Sequence, residues 1–198
     1  MDSNAPLEAE AFRRTYPWLT DWFQRSNAAL FTGRERQEIS VTLGRRWGTE
    51  HPIALLDELR DRFGAEAAEV VRIIVHENSR RDWAGIAAHQ PANGIDDFVR
   101  VLWEPLRSAG FEFTYEKQGS EVRFQCTSCP HVAVARRLGA EQWMALLLCG
   151  SDAGMVTGFN PVIGFRRTRT LMEGHACCDH VYAVPSATAG ASGADCLG

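Results

Sequence analysis

The feature that most constrains the fold is a change of hydrophobic period near Gly110. Upstream, apolar residues recur every three or four positions; downstream, they alternate with polar ones. After Pro52, the residues Ile53, Leu56, Leu59 and Phe63 keep helical spacing up to Gly64, and proline suits the first helical position. From Ala65 into Arg80, Ala68, Val71, Ile74 and Val75 share one side and charges the other. The chain from about Leu7 to Leu106 therefore reads as successive helices. Breaks are expected at Gly33, from Gly44 to Pro52, and at Pro91-Ala92-Asn93-Gly94.

Beyond Gly110, Phe111, Phe113 and Tyr115 share one face of a strand, and Val122, Phe124 and Cys126 a face of the next, around a turn at Gln118-Gly119-Ser120. Pro130 to Leu138 and Ala140 to Cys149 read as two helices joined at Gly139, the second ending at a positive-φ Gly150. Val162 to Leu171 and Cys178 to Val184 read as two further strands around Glu173-Gly174. The expected class is α+β, a helical N-terminal half packed on a C-terminal antiparallel sheet of about four strands, ordered β-β-α-α-β-β. The sheet is the expected cover for the apolar helix faces, with another subunit as the second option. Tyr16, Trp18, Trp22 and Phe23 fit a lid, the core or a subunit contact, with core the first reading. The predicted layout is one domain over residues 1–184, helical over 1–109 and carrying the sheet and the site over 110–184. A disordered Ala/Ser/Gly-rich tail follows over 185–198.

Charge narrows the partners. A net charge of -4 over 198 residues gives no strong field for nucleic acid or an acidic membrane. The expected partner is a small-molecule substrate, with homo-oligomerisation the symmetric default. No basic start leads into an apolar stretch, and no run of about 18 apolar residues occurs, so cytoplasmic localisation is predicted. In that compartment the six cysteines read as free thiols or metal ligands. His76-Glu77 does not continue into His-Glu-x-x-His, and no Gly-x-Gly-x-x-Gly unit, P-loop or Gly-x-Ser-x-Gly elbow is present.

Three constellations can carry chemistry. In Cys126-Thr127-Ser128-Cys129-Pro130 a strand passes into a helix, placing Cys129 at the N-cap, where the helix dipole is expected to lower a thiol pKa. Cys126, alternating with Phe124, points into the core. In Cys149-Gly150-Ser151-Asp152 a turn at Gly150 would aim Cys149 and Asp152 into one pocket; a core cysteine beside a capping aspartate fits equally. In Gly174-His175-Ala176-Cys177-Cys178-Asp179-His180-Val181-Tyr182, strand geometry sends Cys178, His180 and Tyr182 one way and Cys177, Asp179 and Val181 the other. A carboxylate on an apolar strand needs a partner. Asp179 therefore binds a ligand or pairs with Arg166, Arg167 or Arg169.

The ordered series Cys129-Pro130, Leu138-Gly139, Cys149-x-x-Asp152, Phe159-Asn160-Pro161, Arg167-Thr168 and Gly174 leading into Cys178-Asp179 resembles the L-2-amino-thiazoline-4-carboxylic acid hydrolases over about residues 126–182. His175 and the doubled Cys177-Cys178 depart from the pattern. The resemblance implies hydrolytic opening of a C–N bond in a small cyclic amidine or isothiourea. The chemistry of such a ring opening selects a site of Cys129, Cys149, Asp152, His175, Cys178 and Asp179, with Asn160, Arg167 and Arg169 toward the substrate. Cys129 or Cys178 would be the nucleophile, Asp152 and Asp179 an amidinium clamp, and His175 or His180 the acid/base. Arg167 or Arg169 could hold a substrate carboxylate.

Alternatives stay open. One has Cys129, Cys149 and Cys178 ligating a single zinc or iron ion that activates water. Another is a non-catalytic metal or iron–sulfur sensor or carrier using the same cysteines. A third is an assembly protein whose cysteines only pack.

Overall fold

The computed structural model describes residues 5–25 and 28–185. Of the predicted tail over 185–198, all but Pro185 lies outside them, Cys196 included. The first half is helical: α1 (Ala5–Thr15), α2 (Pro17–Gln24), a 3-10 turn (Ala28–Leu30), α3 (Arg34–Arg46), α4 (Pro52–Phe63), α5 (Ala65–Ala88) and α6 (Ile95–Ser108). Pro52 opens α4, and Gly64 at φ 60° closes it. The second half holds β1 (Glu112–Gln118), β2 (Glu121–Ser128), α7 (Pro130–Leu138), α8 (Glu141–Leu147), a 3-10 turn (Cys149–Ser151), α9 (Asp152–Phe159), β3 (Gly164–Arg167), a 3-10 turn (Leu171–Glu173) and β4 (Cys178–Ala183). The four strands form one antiparallel sheet in the order β1-β2-β4-β3, so the fold is α+β.

The helical faces are covered differently from expectation. One core joins α1 to α5 with α7 and α8, through Tyr16, Phe23, Leu43, Trp47, Leu56, Ile74, Met144 and Leu147 among others. A second core lies between the sheet and α6, α9 and the end of α5, built on Trp83, Phe98, Trp103, Phe113, Phe124, Phe159 and Tyr182. Each strand offers only one apolar face, with Val122, Phe124 and Cys126 on β2 and Cys178, His180 and Tyr182 on β4 buried. A sheet of this size accommodates a few helices, so the remaining ones cover one another.

α5 runs past Arg80 to Ala88 because Trp83 belongs to the second core, 5.4 Å from the Phe98 ring and 6.0 Å from that of Phe159. The helix therefore ties the two cores together.

The largest addition to the expected order is α9. Gly150 is absent from the positive-φ positions; the chain turns through the 3-10 segment straight into Asp152. α9 is seated on α5 by two glycines one turn apart. A Cβ at Gly154 would run into Ser79 Oγ and His76 O, and one at Gly158 into the Arg80 carbonyl. The Ser79 hydroxyl lies 3.0 Å from both His76 O and Ser151 O, fixing the residue before Asp152. Among the described residues no helix is long and apolar enough to cross a membrane.

Candidate active site

The site follows from sheet register. Antiparallel pairing sets Cys126 beside Cys178, Phe124 beside His180 and Val122 beside Tyr182. On the other side of β4, Arg167 stands opposite His180 and Phe165 opposite Tyr182. Of these side chains Cys126, Arg167, Cys178, His180 and Tyr182 floor a cavity of about 150 Å3, closed by α2, α6, the start of α7, the end of α8 and α9.

A polar cluster sits in its wall. Asp152 Oδ2 accepts a hydrogen bond from Arg167 Nη1 and lies 3.3 Å from His180 Nε2. Arg167 Nη2 donates to the Cys149 carbonyl at 3.1 Å. The pair is mostly buried, with side-chain exposures of 17% for Arg167 and 20% for Asp152, so removing either partner would strand a charge. Both contacts fall on Oδ2; Asp152 Oδ1 takes no hydrogen bond from the described residues. His180 Nδ1 is buried without a partner.

Four thiols face the same space: Cys126, Cys129, Cys149 and Cys178. Cys126 donates to Ser128 O at 3.2 Å and is pushed up to about 12, mainly by burial. Burial, with Asp152 next, pushes Cys149 well above the usual thiol range. Cys178 Sγ accepts the Leu171 amide at 3.2 Å, but burial outweighs this and raises its pKa.

Cys129 is the N-cap of α7 without a full cap hydrogen bond. The expected lowering of its pKa is reversed. Burial raises it more than the amides of His131 and Val132 pull it down, so the thiol is the resting form at neutral pH. Beside it, the His131 imidazole is lowered by burial, with Nδ1 3.2 Å from the Tyr16 hydroxyl. Among the described residues no group of three or more His, Cys, Asp or Glu side chains is arranged to hold a metal ion, so Cys129, Cys149 and Cys178 share a cavity without forming a ligand set.

Four residues expected at the site lie off the cavity. Asp179 is on the opposite face of β4, where its carboxylate takes Thr168 N (2.9 Å), Thr168 Oγ1 (2.5 Å), Arg169 N (2.6 Å) and Arg169 Nε (3.5 Å). Burial raises its pKa, but the Thr168 hydroxyl and the two backbone amides dominate and hold it well below the usual carboxylate range. Arg169 is committed to that cluster. Asn160 caps α9, donating to Asn93 O at 2.9 Å and accepting Val162 N at 2.9 Å. His175 is exposed in the turn before β4. Pairing and capping account for the first three, and strand alternation separates Asp179 from His180.

Residues that sequence reasoning missed include His131, Ser151 and Trp103, all on the cavity wall. His131 had a signal, since it follows Cys129-Pro130 in the first turn of α7. Trp18, expected in the core, is 37% exposed and lines the cavity from α2.

Residues 44–182 match the family described as L-2-amino-thiazoline-4-carboxylic acid hydrolase. The chain belongs to the L-2-amino-thiazoline-4-carboxylic acid hydrolase family. No curated protein and no solved structure matches it. The family segment starts in α3, well upstream of the Cys126–Tyr182 stretch that carried the resemblance. It contains every polar cavity residue named above, whereas α1 and α2, with the cavity-lining Trp18, precede it. Membership in this family suggests a hydrolase acting on a thiazoline-like substrate.

Proposed function

We propose that the chain opens the ring C–N bond of a small thiazoline-like cyclic amidine in this cavity, with Cys129 as nucleophile and Asp152 and His180 handling charge and protons. The observation that carries this reading is the unequal use of Asp152. One oxygen orients Arg167 and His180, and the other has capacity left for the N–H of an amidinium, a charge-assisted bond.

His180 is oriented for proton transfer by the same contact. With Nε2–H donating to Asp152, the lone pair sits on Nδ1, which is buried and unpartnered. A resting thiol needs such a base. As His180 takes the proton, the Cys129 sulfur adds to the amidine carbon. The ring C–N bond then breaks, and the nitrogen leaves as an amine carrying a proton from the imidazolium. Water attacks the resulting thioimidate carbon and expels the Cys129 thiol, leaving a thiocarbamate on the ring sulfur.

Cys129 is favoured over the other cavity thiols by its seat against the His131 and Val132 amides, which stabilise developing thiolate charge. The Cys126 thiol is already donated to the Ser128 carbonyl. Cys129→Ala should keep the fold and lower kcat by about a thousandfold or more, with loss of a covalent adduct that intact-mass spectrometry detects in the wild type during turnover. Wild-type kcat in a folded Cys129→Ala would remove the thiol route.

A further inference from the structure

The cavity wall is more apolar than a ring bearing a carboxylate requires. Leu102, Trp103, Leu106, Phe111, Met155 and Met172 all line it. Among the lining residues Arg167 is the only Arg or Lys, and its charge is already matched by Asp152, while its second terminal nitrogen donates to the Cys149 carbonyl. Turning it toward a ligand anion would leave Asp152 without its counter-ion. His131 offers no replacement charge, since burial favours its neutral form. The first amides of α7 pull on the Cys129 thiol, and that of Val132 donates to the Cys129 carbonyl at 3.1 Å. A substrate carboxylate would therefore be desolvated with no free cation to receive it, at a large cost. An alkyl group at the same place would gain from every Å2 it buries.

We infer that the substrate is a 2-amino-thiazoline-type ring carrying a short apolar substituent where 2-amino-thiazoline-4-carboxylate carries its carboxylate. The ring rests on the hydrolase reading above; the substituent rests on the wall. Size agrees. A cavity of about 150 Å3 is one that holds roughly a benzene, so the ring fills the inner space against Asp152. Its substituent then runs toward Trp18, the one exposed side chain on the wall.

The test is isothermal titration of the wild-type chain at pH 7 with two aromatic analogues that resist ring opening, 2-amino-4-isopropylthiazole and 2-aminothiazole-4-carboxylate. The two substituents match in heavy-atom number and differ in charge. The isopropyl compound should bind at least about tenfold tighter; equal affinity, or tighter binding of the carboxylate, overturns the inference. Hydrolysis of the two corresponding thiazolines separates this from the reading it rests on. Faster opening of the carboxylate thiazoline would keep the hydrolase and overturn the substrate class. Tighter isopropyl binding with neither thiazoline opened would keep the ligand class and overturn the hydrolase.

Discussion

Asp152 and Asp179 are two carboxylates of similar exposure, 20% and 18% at the side chain, each paired with an arginine, on opposite sides of β4. Asp179 is filled by four donors from the two consecutive residues Thr168 and Arg169. Asp152 takes two, both on one oxygen, from β3 and β4. The first is a closed local staple that shapes the turn after β3. The second is a junction between elements with bonding capacity left over. Pairing with arginine marks neither as functional; Asp152 differs from the staple in its unused oxygen and in its place in the cavity wall beside His180.

That contrast can be broken in several ways. The seat of α9 carries Asp152 and leaves Asp179 untouched, so Gly158→Ala, which drives a methyl into the Arg80 carbonyl, should cost about 3 kcal/mol of stability. Turnover in whatever remains folded should fall as well. Urea unfolding and activity per folded molecule check both; a neutral substitution would mean that α9 is not held by this contact.

Asp179→Asn should cost about 2 kcal/mol at pH 7 through weakened charge-assisted bonds. The sign with pH follows from a folded pKa lying below the unfolded value of about 3.9. The contribution is fully present above that value and is lost as pH falls toward the folded pKa. The difference between wild type and variant should therefore be full at pH 7 and begin to narrow below about pH 4, read as urea midpoints at pH 7 and pH 3.

A smaller effect concerns the cavity thiols. Burial raises Cys126, Cys129, Cys149 and Cys178, so iodoacetamide should label them slowly at pH 7 and faster above about pH 9. Fast labelling of Cys129 at pH 7 would mean a preformed thiolate and would remove the need for His180 as base.

Much of the fold was legible because its signals are local. The alternation of β1 and β2 around Gly119, and the run from Pro52 to Gly64, each lie within a dozen residues. α9 was not legible. Its sequence Asp-Ala-Gly-Met-Val-Thr-Gly-Phe holds two glycines that disfavour a helix in isolation, and those same glycines allow the approach to α5 that stabilises it. The site was half legible for a related reason. Cys129, Cys149, Asp152, Arg167 and Cys178 could be named from clustering, but Asp152 and Asp179 looked alike, because the amides of Thr168 and Arg169 that saturate Asp179 carry no side-chain signature. Trp18 could not be told from Tyr16 or Phe23, since the mouth of a cavity and a core are built from the same residue types.

The most direct test is hydrolysis of a 2-amino-thiazoline by Asp152→Asn and Asp179→Asn side by side at pH 7, each shown to be folded. The account requires kcat/KM to fall by about a hundredfold or more in Asp152→Asn and to stay within about threefold of wild type in Asp179→Asn. Retained activity in the first with loss in the second would contradict it.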